Sequence, residues 1–128
     1  VSKKVLIVDD EAHIRLLLEQ TLDPLLDVGI DILTADNGGA ALQLIRDERP
    51  DLVLLDVMMP VMNGFDVCKT VKADPDLRGI FVMMLTAKGQ ELDRATGAEV
   101  GADLYLTKPF DPDDVLGRAA KVLEVDVG

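Results

Sequence analysis

Five short runs rich in branched apolar residues recur along the chain: Lys4–Val8, Asp31–Ala35, Leu52–Asp56, Ile80–Leu85 and Leu104–Thr107. Each has the length of a strand, and Leu52–Asp56 reads as one buried on both faces of a parallel sheet. Asp31–Ala35 alternates, which predicts a more exposed strand. Between the runs the apolar spacing changes to a helical period. A first helix is expected from about Ala12, with Ile14, Leu17, Leu18 and Leu22 on one face, ending near Leu22 or Asp23 because Pro24 breaks it. Leu25 and Leu26 then make a further turn or cover the sheet edge. After the loop Asp36-Asn37-Gly38-Gly39, Ala41, Leu44 and Ile45 mark a second helix, stopped before Pro50.

The third helix is expected from near Gly64, burying Val67, Cys68 and Val71 and ending before Asp74-Pro75. A fourth, over about Gln90–Val100, is weakly amphipathic and contains Gly97, which costs about 1 kcal/mol relative to alanine. That makes it the least secure element and a candidate for motion. The last helix opens at Asp111-Pro112-Asp113-Asp114, with an acid as cap, proline first and carboxylates facing the dipole. Leu116, Ala119, Ala120 and Leu123 form its expected buried stripe.

Strands alternating with helices at this spacing predict right-handed crossovers and a parallel sheet covered on both sides. The fold class is therefore α/β, a doubly wound (βα)5 unit whose five strands suit the flavodoxin-like order 2-1-3-4-5. Repeats, low-complexity tracts and linkers are absent from the sequence, so residues 1–128 read as one domain with a core over about 4–123. Only Glu124 to Gly128 follow that core, and no output domain is expected in this chain.

Composition narrows the function. Hydrophobic residues make up 48% and aromatic ones 3%, so the core is aliphatic. The net charge of −11 argues against direct nucleic-acid or membrane binding, since phosphates and anionic lipids repel it. No apolar run near the N-terminus is long enough for a signal peptide or a span. The lone Cys68 rules out an internal disulfide and fits a reducing, cytoplasmic setting, where it reads as a small core residue.

The chemistry collects at strand ends. Leu52–Leu55 leads directly into Asp56, and Pro60 with Asn63-Gly64 then turns the chain into a loop. Parallel strands share one carboxyl-end rim, which on this topology gathers Asp9, Asp10, Asp56, Thr86 and Lys108. Three close carboxylates repel one another unless a cation is present. Oxygen ligands without histidine or cysteine select a hard ion, and Mg²⁺ suits a partly open site, with Mn²⁺ as a second ion the same oxygens accept. A carboxylate nucleophile, a hydroxyl at Thr86, room beside it at Ala87 and a fixed charge at Lys108 suit capture of a phosphoryl group.

Rival readings fit less well. A flavin phosphate site would want a Ser/Thr/Gly-rich loop where Asp9-Asp10-Glu11 stands, and no P-loop is present. The aspartate pair of a haloacid-dehalogenase-type phosphatase, spaced by one residue, is also missing. His13 reads as an exposed helix residue rather than a phosphoryl relay. Asp36, Asp74, Asp76, Asp103 and Asp111 read as caps or solvated loop acids.

Four segments in order carry a family resemblance: Val8-Asp9-Asp10-Glu11, Asp56 to Gly64, Leu85-Thr86-Ala87-Lys88 and Lys108-Pro109-Phe110. The chain resembles the receiver domain of two-component response regulators, of the chemotaxis type, from Lys4 to about Leu123. The resemblance implies that Asp56 accepts a phosphoryl group from a sensor histidine kinase or phosphotransfer protein in a phosphorelay. It implies Asp10 and Asp56 as direct Mg²⁺ ligands, Asp9 as a ligand through water and Met58 as one through its backbone carbonyl. Lys108 would pair with phosphoryl oxygens, before a Lys108-Pro109 bond of the kind this family holds in cis. Thr86 would move toward the phosphoryl group and Tyr105 rotate inward, with Ala87 and Pro109 beside them, changing the surface of the fourth helix, fifth strand and last helix. An output domain, an effector or a phosphorylation-dependent homodimer would read that surface.

Two departures stand out. The stretch Asp23 to Gly29 is a couple of residues longer than usual. Asp103-Leu104-Tyr105 lacks the second acid that many transcription-factor receivers use in dimer contacts. The competing function is a degenerate receiver acting as a phosphorylation-independent interaction module, which the intact acid, hydroxyl and lysine set argues against.

Overall fold

The computed structural model describes residues 3–57, 59, 62–87, 101–108 and 110–127. The helix expected over Gln90–Val100, the positions Met58, Pro60, Lys88 and Pro109, and the side chains of Ala87 and Lys108 lie outside the described residues. The strands are β1 Lys4–Val8, β2 Asp31–Ala35, β3 Leu52–Asp56, β4 Phe81–Ala87 and β5 Leu104–Lys108. The described helices are α1 Ala12–Thr21, α2 Asp23–Asp27, α3 Gly38–Glu48, α4 Gly64–Ala73 and α5 Pro112–Leu123. All strand pairs are parallel and the order is β2-β1-β3-β4-β5, as the alternation of elements predicts.

The central strands are buried on both faces because helices cover both. On one side α3 and α4 place Ala41, Ile45, Val67 and Val71 against Leu6, Val53 and Met84. On the other, α1, α2 and α5 place Leu18, Leu25, Val115 and Leu123 against Ile7, Leu54 and Leu85. The edge strand β2 is largely open, with only Ala35 buried.

Several local expectations change. Leu17 is exposed, not part of the α1 core face: it lies about 100° around the helix from Leu18, and Leu18, Leu22 and Leu25 already cover the sheet. Pro24 does not only stop α1. It sits at the start of α2, where its missing N–H costs nothing, and so opens a second short helix. In α5 Ala119, Ala120 and Leu123 are buried as expected, but Val115 takes the place expected for Leu116, which is half-buried. Strand β4 begins at Phe81 rather than Ile80, whose carbonyl accepts from Lys72 Nζ at 2.7 Å. It runs on through Thr86 and Ala87, just as β5 includes Lys108.

Candidate functional site: an acidic rim

Val8 and Leu55 are register partners, so the chain leaving β1 and the end of β3 reach the same rim side by side. There, carboxylate oxygens of Asp9, Asp10 and Asp56 all lie within 4.8 Å of one another. Asp9 and Asp56 are buried and Asp10 is exposed. At an effective dielectric of about 20, each pair of charges at that spacing repels by roughly 3 kcal/mol. The fold therefore holds together groups that oppose one another.

Asp9 is fixed by its neighbours. Its Oδ1 accepts from the Glu11 amide at 2.9 Å, and its own amide donates to the Ala35 carbonyl at 3.2 Å. Arg15, one turn into α1, donates from Nη1 to the Asp9 carbonyl at 2.8 Å. Sequence reasoning missed Arg15, because a side chain bonding to a backbone carbonyl leaves no motif. It brings a guanidinium to the acid-bearing turn.

The far wall is the start of α4. Asn63 caps the helix by accepting from the Asp66 amide at 3.0 Å, and Gly64 donates to the Val57 carbonyl at 2.9 Å. This brings α4 against the acid's own backbone: a Cβ on Gly64 would lie 2.3 Å from the Asp56 carbonyl oxygen. Gly38, at the start of α3, is similarly pressed by Met62, whose carbonyl would lie 2.6 Å from an added Cβ. The N-termini of α4 and α3 thus lie against Val57 and Met62 respectively.

Thr86 is buried on β4, one residue beyond the register partner of Asp56, and pairs with Thr107. Ala87 pairs with Lys108, so the lysine position closes the rim. Tyr105 is half-buried, opposite Met84 and against the core on the α3–α4 side. His13 is exposed and lies 3.2 Å from the Glu11 carboxylate. Burial pushes the Cys68 thiol up to about 11, with Lys72 opposing the shift and Asp103 adding to it.

Asp103 is more than a solvated loop acid. Its Oδ2 accepts from Lys72 Nζ and from the Val82 amide, both at 2.8 Å, and its amide returns a bond to the Val82 carbonyl at 3.0 Å. Lys72 also donates to the Arg78 carbonyl at 3.0 Å. This clasp joins α4, the turn before β4 and the start of β5. By contrast Asp111 caps α5 through the Asp113 amide at 3.0 Å, as expected.

The donor set fits a hard divalent ion. All its atoms are carboxylate oxygens, and the spacing is on the scale of two opposed oxygens around one Mg²⁺, about 4.2 Å apart. Asp10 faces solvent, leaving a side open for water or an anion.

Carboxylates at the carboxyl ends of β1 and β3, with a threonine on β4, thus meet along one rim of a doubly wound α/β sheet. The chain belongs to the response regulator receiver domain family, whose model matches residues 5–120. It is 46% identical over 122 residues to the probable transcriptional regulator ycf27 of Porphyra purpurea, covering 95% of this chain and 48% of that protein. It is 43% identical over 123 residues to the alkaline phosphatase synthesis transcriptional regulatory protein PhoP of Bacillus subtilis, covering 96% and 49%. The chain thus spans about half the length of these relatives. Among solved structures, it is similar to the chemotaxis response regulator CheY4 of Vibrio cholerae, with TM-score 0.83 and 35% identity over 95% of this chain and 99% of that one. A response regulator structure from Chloroflexus aurantiacus gives TM-score 0.86 at 34% identity, covering 97% and 99%. Among the described residues, no helix is long and apolar enough to cross a membrane.

Proposed function

We propose that residues of about 4–123 act as one receiver core in which Asp56 takes a phosphoryl group from a phosphohistidine on a partner kinase or phosphotransfer protein. The observation that carries the reading is the meeting of Asp9, Asp10 and Asp56 within 4.8 Å. A receiver that only docked partners would have no use for that repulsion. Asp10 and Asp56 would hold Mg²⁺ or Mn²⁺ directly, Asp9 through water and Met58 by its carbonyl. When bound, the ion neutralises the carboxylates and stabilises charge on the transferring oxygens.

In the transfer, an Asp56 carboxylate oxygen attacks phosphorus, the P–N bond breaks and the imidazole leaves with the electron pair. Lys108 pairs with a phosphoryl oxygen and the Thr86 hydroxyl donates to another. Hydrolysis is the slower return: water attacks phosphorus and the P–O bond to Asp56 breaks. Thr86 drawn toward the phosphoryl group frees space into which Tyr105 turns. The altered face of β5, α5 and segment 90–100 is then read by an output domain, an effector protein or a second receiver.

The test is incubation with acetyl phosphate and Mg²⁺, followed by intact mass. One added phosphate is expected for the wild type and none for Asp56→Asn or with the metal chelated. No gain in the wild type, or equal gain in the variant, would sink the reading.

A further inference from the structure

A second surface lies at the opposite end of the sheet. The second half of α1, helix α2 and edge strand β2 enclose an open groove of about 520 Å³, lined by Leu16, Glu19, Gln20, Asp23, Leu26 and Ile32. Leu16 and Leu26 are 54% and 50% exposed, and Val28 just beyond is 42% exposed. Isolated surface leucines need no explanation, but two on facing walls of one groove form a patch. The groove exists because Pro24 starts α2 immediately after α1, holding Leu26 outward while Leu25 fills the core.

Its position separates it from the acid rim. In the parallel sheet, Asp31 pairs with Lys4 at the start of β1, whereas Asp9 and Asp56 follow the strands' other ends. An occupant here would leave Asp56 accessible.

Charge selects the occupant. From Leu16 to Ile45 the chain has no lysine or arginine, while Glu19, Asp23, Asp27, Asp31 and Asp36 all fall in that stretch. Glu19 and Asp23 line the groove itself. A second copy related by a two-fold axis would set these acids against themselves. Anionic lipid and nucleic acid would be repelled. An amphipathic helix with apolar anchors on one face and lysine or arginine on its flanks satisfies both the apolar floor and the acidic rim. We propose that this groove docks such a basic amphipathic helix of a partner protein, at the same time as the acid rim engages its phosphoryl donor.

The probe is a 15-residue peptide with leucines on one helical face and lysines on the other, titrated at physiological salt into the isotopically labelled full chain. A peptide of the same composition in scrambled order is the control. Amide shifts are expected on the second half of α1, on α2 and on β2, with at least about tenfold weaker binding for the scrambled peptide. Leu26→Gln and Glu19→Lys should each weaken binding about tenfold while thermal unfolding and acetyl-phosphate labelling of Asp56 stay unchanged. Both side chains reach solvent, so the variants should fold. Shifts centred on Asp9, Asp10 and Asp56, equal binding of the scrambled peptide, or unaltered affinity in both variants would overturn the proposal. So would concentration-dependent self-association of the chain alone that Leu26→Gln abolishes, which would make a second copy the occupant. Failure of Asp56 to become phosphorylated would leave this result untouched, since the two surfaces are read separately.

Discussion

Gly64→Ala sets two physical effects against each other at the acid rim. Alanine inside a helix is favoured over glycine by about 1 kcal/mol. At Gly64, however, the new Cβ would lie 2.3 Å from the Asp56 carbonyl oxygen and 3.0 Å from both the Asp56 carbonyl carbon and Met84 Cε. A methionine methyl can yield, but the strand backbone beneath Asp56 cannot without moving the acid. Overpacking of this kind costs about 1–3 kcal/mol, and contact with backbone puts it near the upper end. The net expectation is a loss of about 2 kcal/mol. An unfolding entropy of about 2.1 cal/mol/K per residue corresponds to roughly 4 °C per kcal/mol in a chain this long, so Tm should fall by about 7 °C. Gly117→Ala is the matched control: it is exposed in α5, nothing lies within 4 Å of its added Cβ, and Tm should rise by about 4 °C. Calorimetry of both, with acetyl-phosphate labelling of each, separates propensity from sterics. Labelling should be slowed in Gly64→Ala and normal in Gly117→Ala. If Gly64→Ala is as stable as the wild type and labels as fast, the claim that α4 presses on the Asp56 backbone is wrong.

Two further outcomes follow from the interior. Cys68, its thiol pushed up to about 11 by burial, should resist an aromatic disulfide reagent at pH 8 in the folded protein and react fully in denaturant. Because its folded value is raised above the ordinary 9, its contribution to stability is complete below about pH 9 and lost as pH rises toward 11; Cys68→Ala should flatten that alkaline loss, and rapid native-state labelling would contradict the burial argument. Lys72→Met removes the donor shared by the Asp103 carboxylate and the Arg78 and Ile80 carbonyls, and should cost about 2 kcal/mol with a Tm fall of about 7 °C. An unchanged melting curve would show that the clasp is solvated rather than structural.

The fold was legible because each strand is an apolar run and α1, α3, α4 and α5 each have their own period and stop, whereas the five-residue α2 is too short to show one. The parallel order follows once those elements alternate, since a buried Leu52–Leu55 can only be a central strand. The acids were legible for the same reason: Asp9 and Asp56 sit where apolar runs end, and parallel strands bring such ends together. What escaped was contact of side chain with backbone. Arg15 on the Asp9 carbonyl and Asp103 on the Val82 amide depend on where two segments meet, which no spacing encodes. Leu17 escaped for another reason: apolar neighbours at positions 16–18 cannot all face one sheet, and periodicity alone does not choose between them.

The half-buried Tyr105 has a practical consequence. The sequence contains no tryptophan and a single tyrosine. Near-ultraviolet dichroism and intrinsic fluorescence at tyrosine wavelengths therefore report from one position, on β5 beside Met84 and two residues from the Thr107 that pairs with Thr86. The protein carries its own single-site optical probe, so the ring rotation proposed to accompany phosphorylation can be tested in real time without a label.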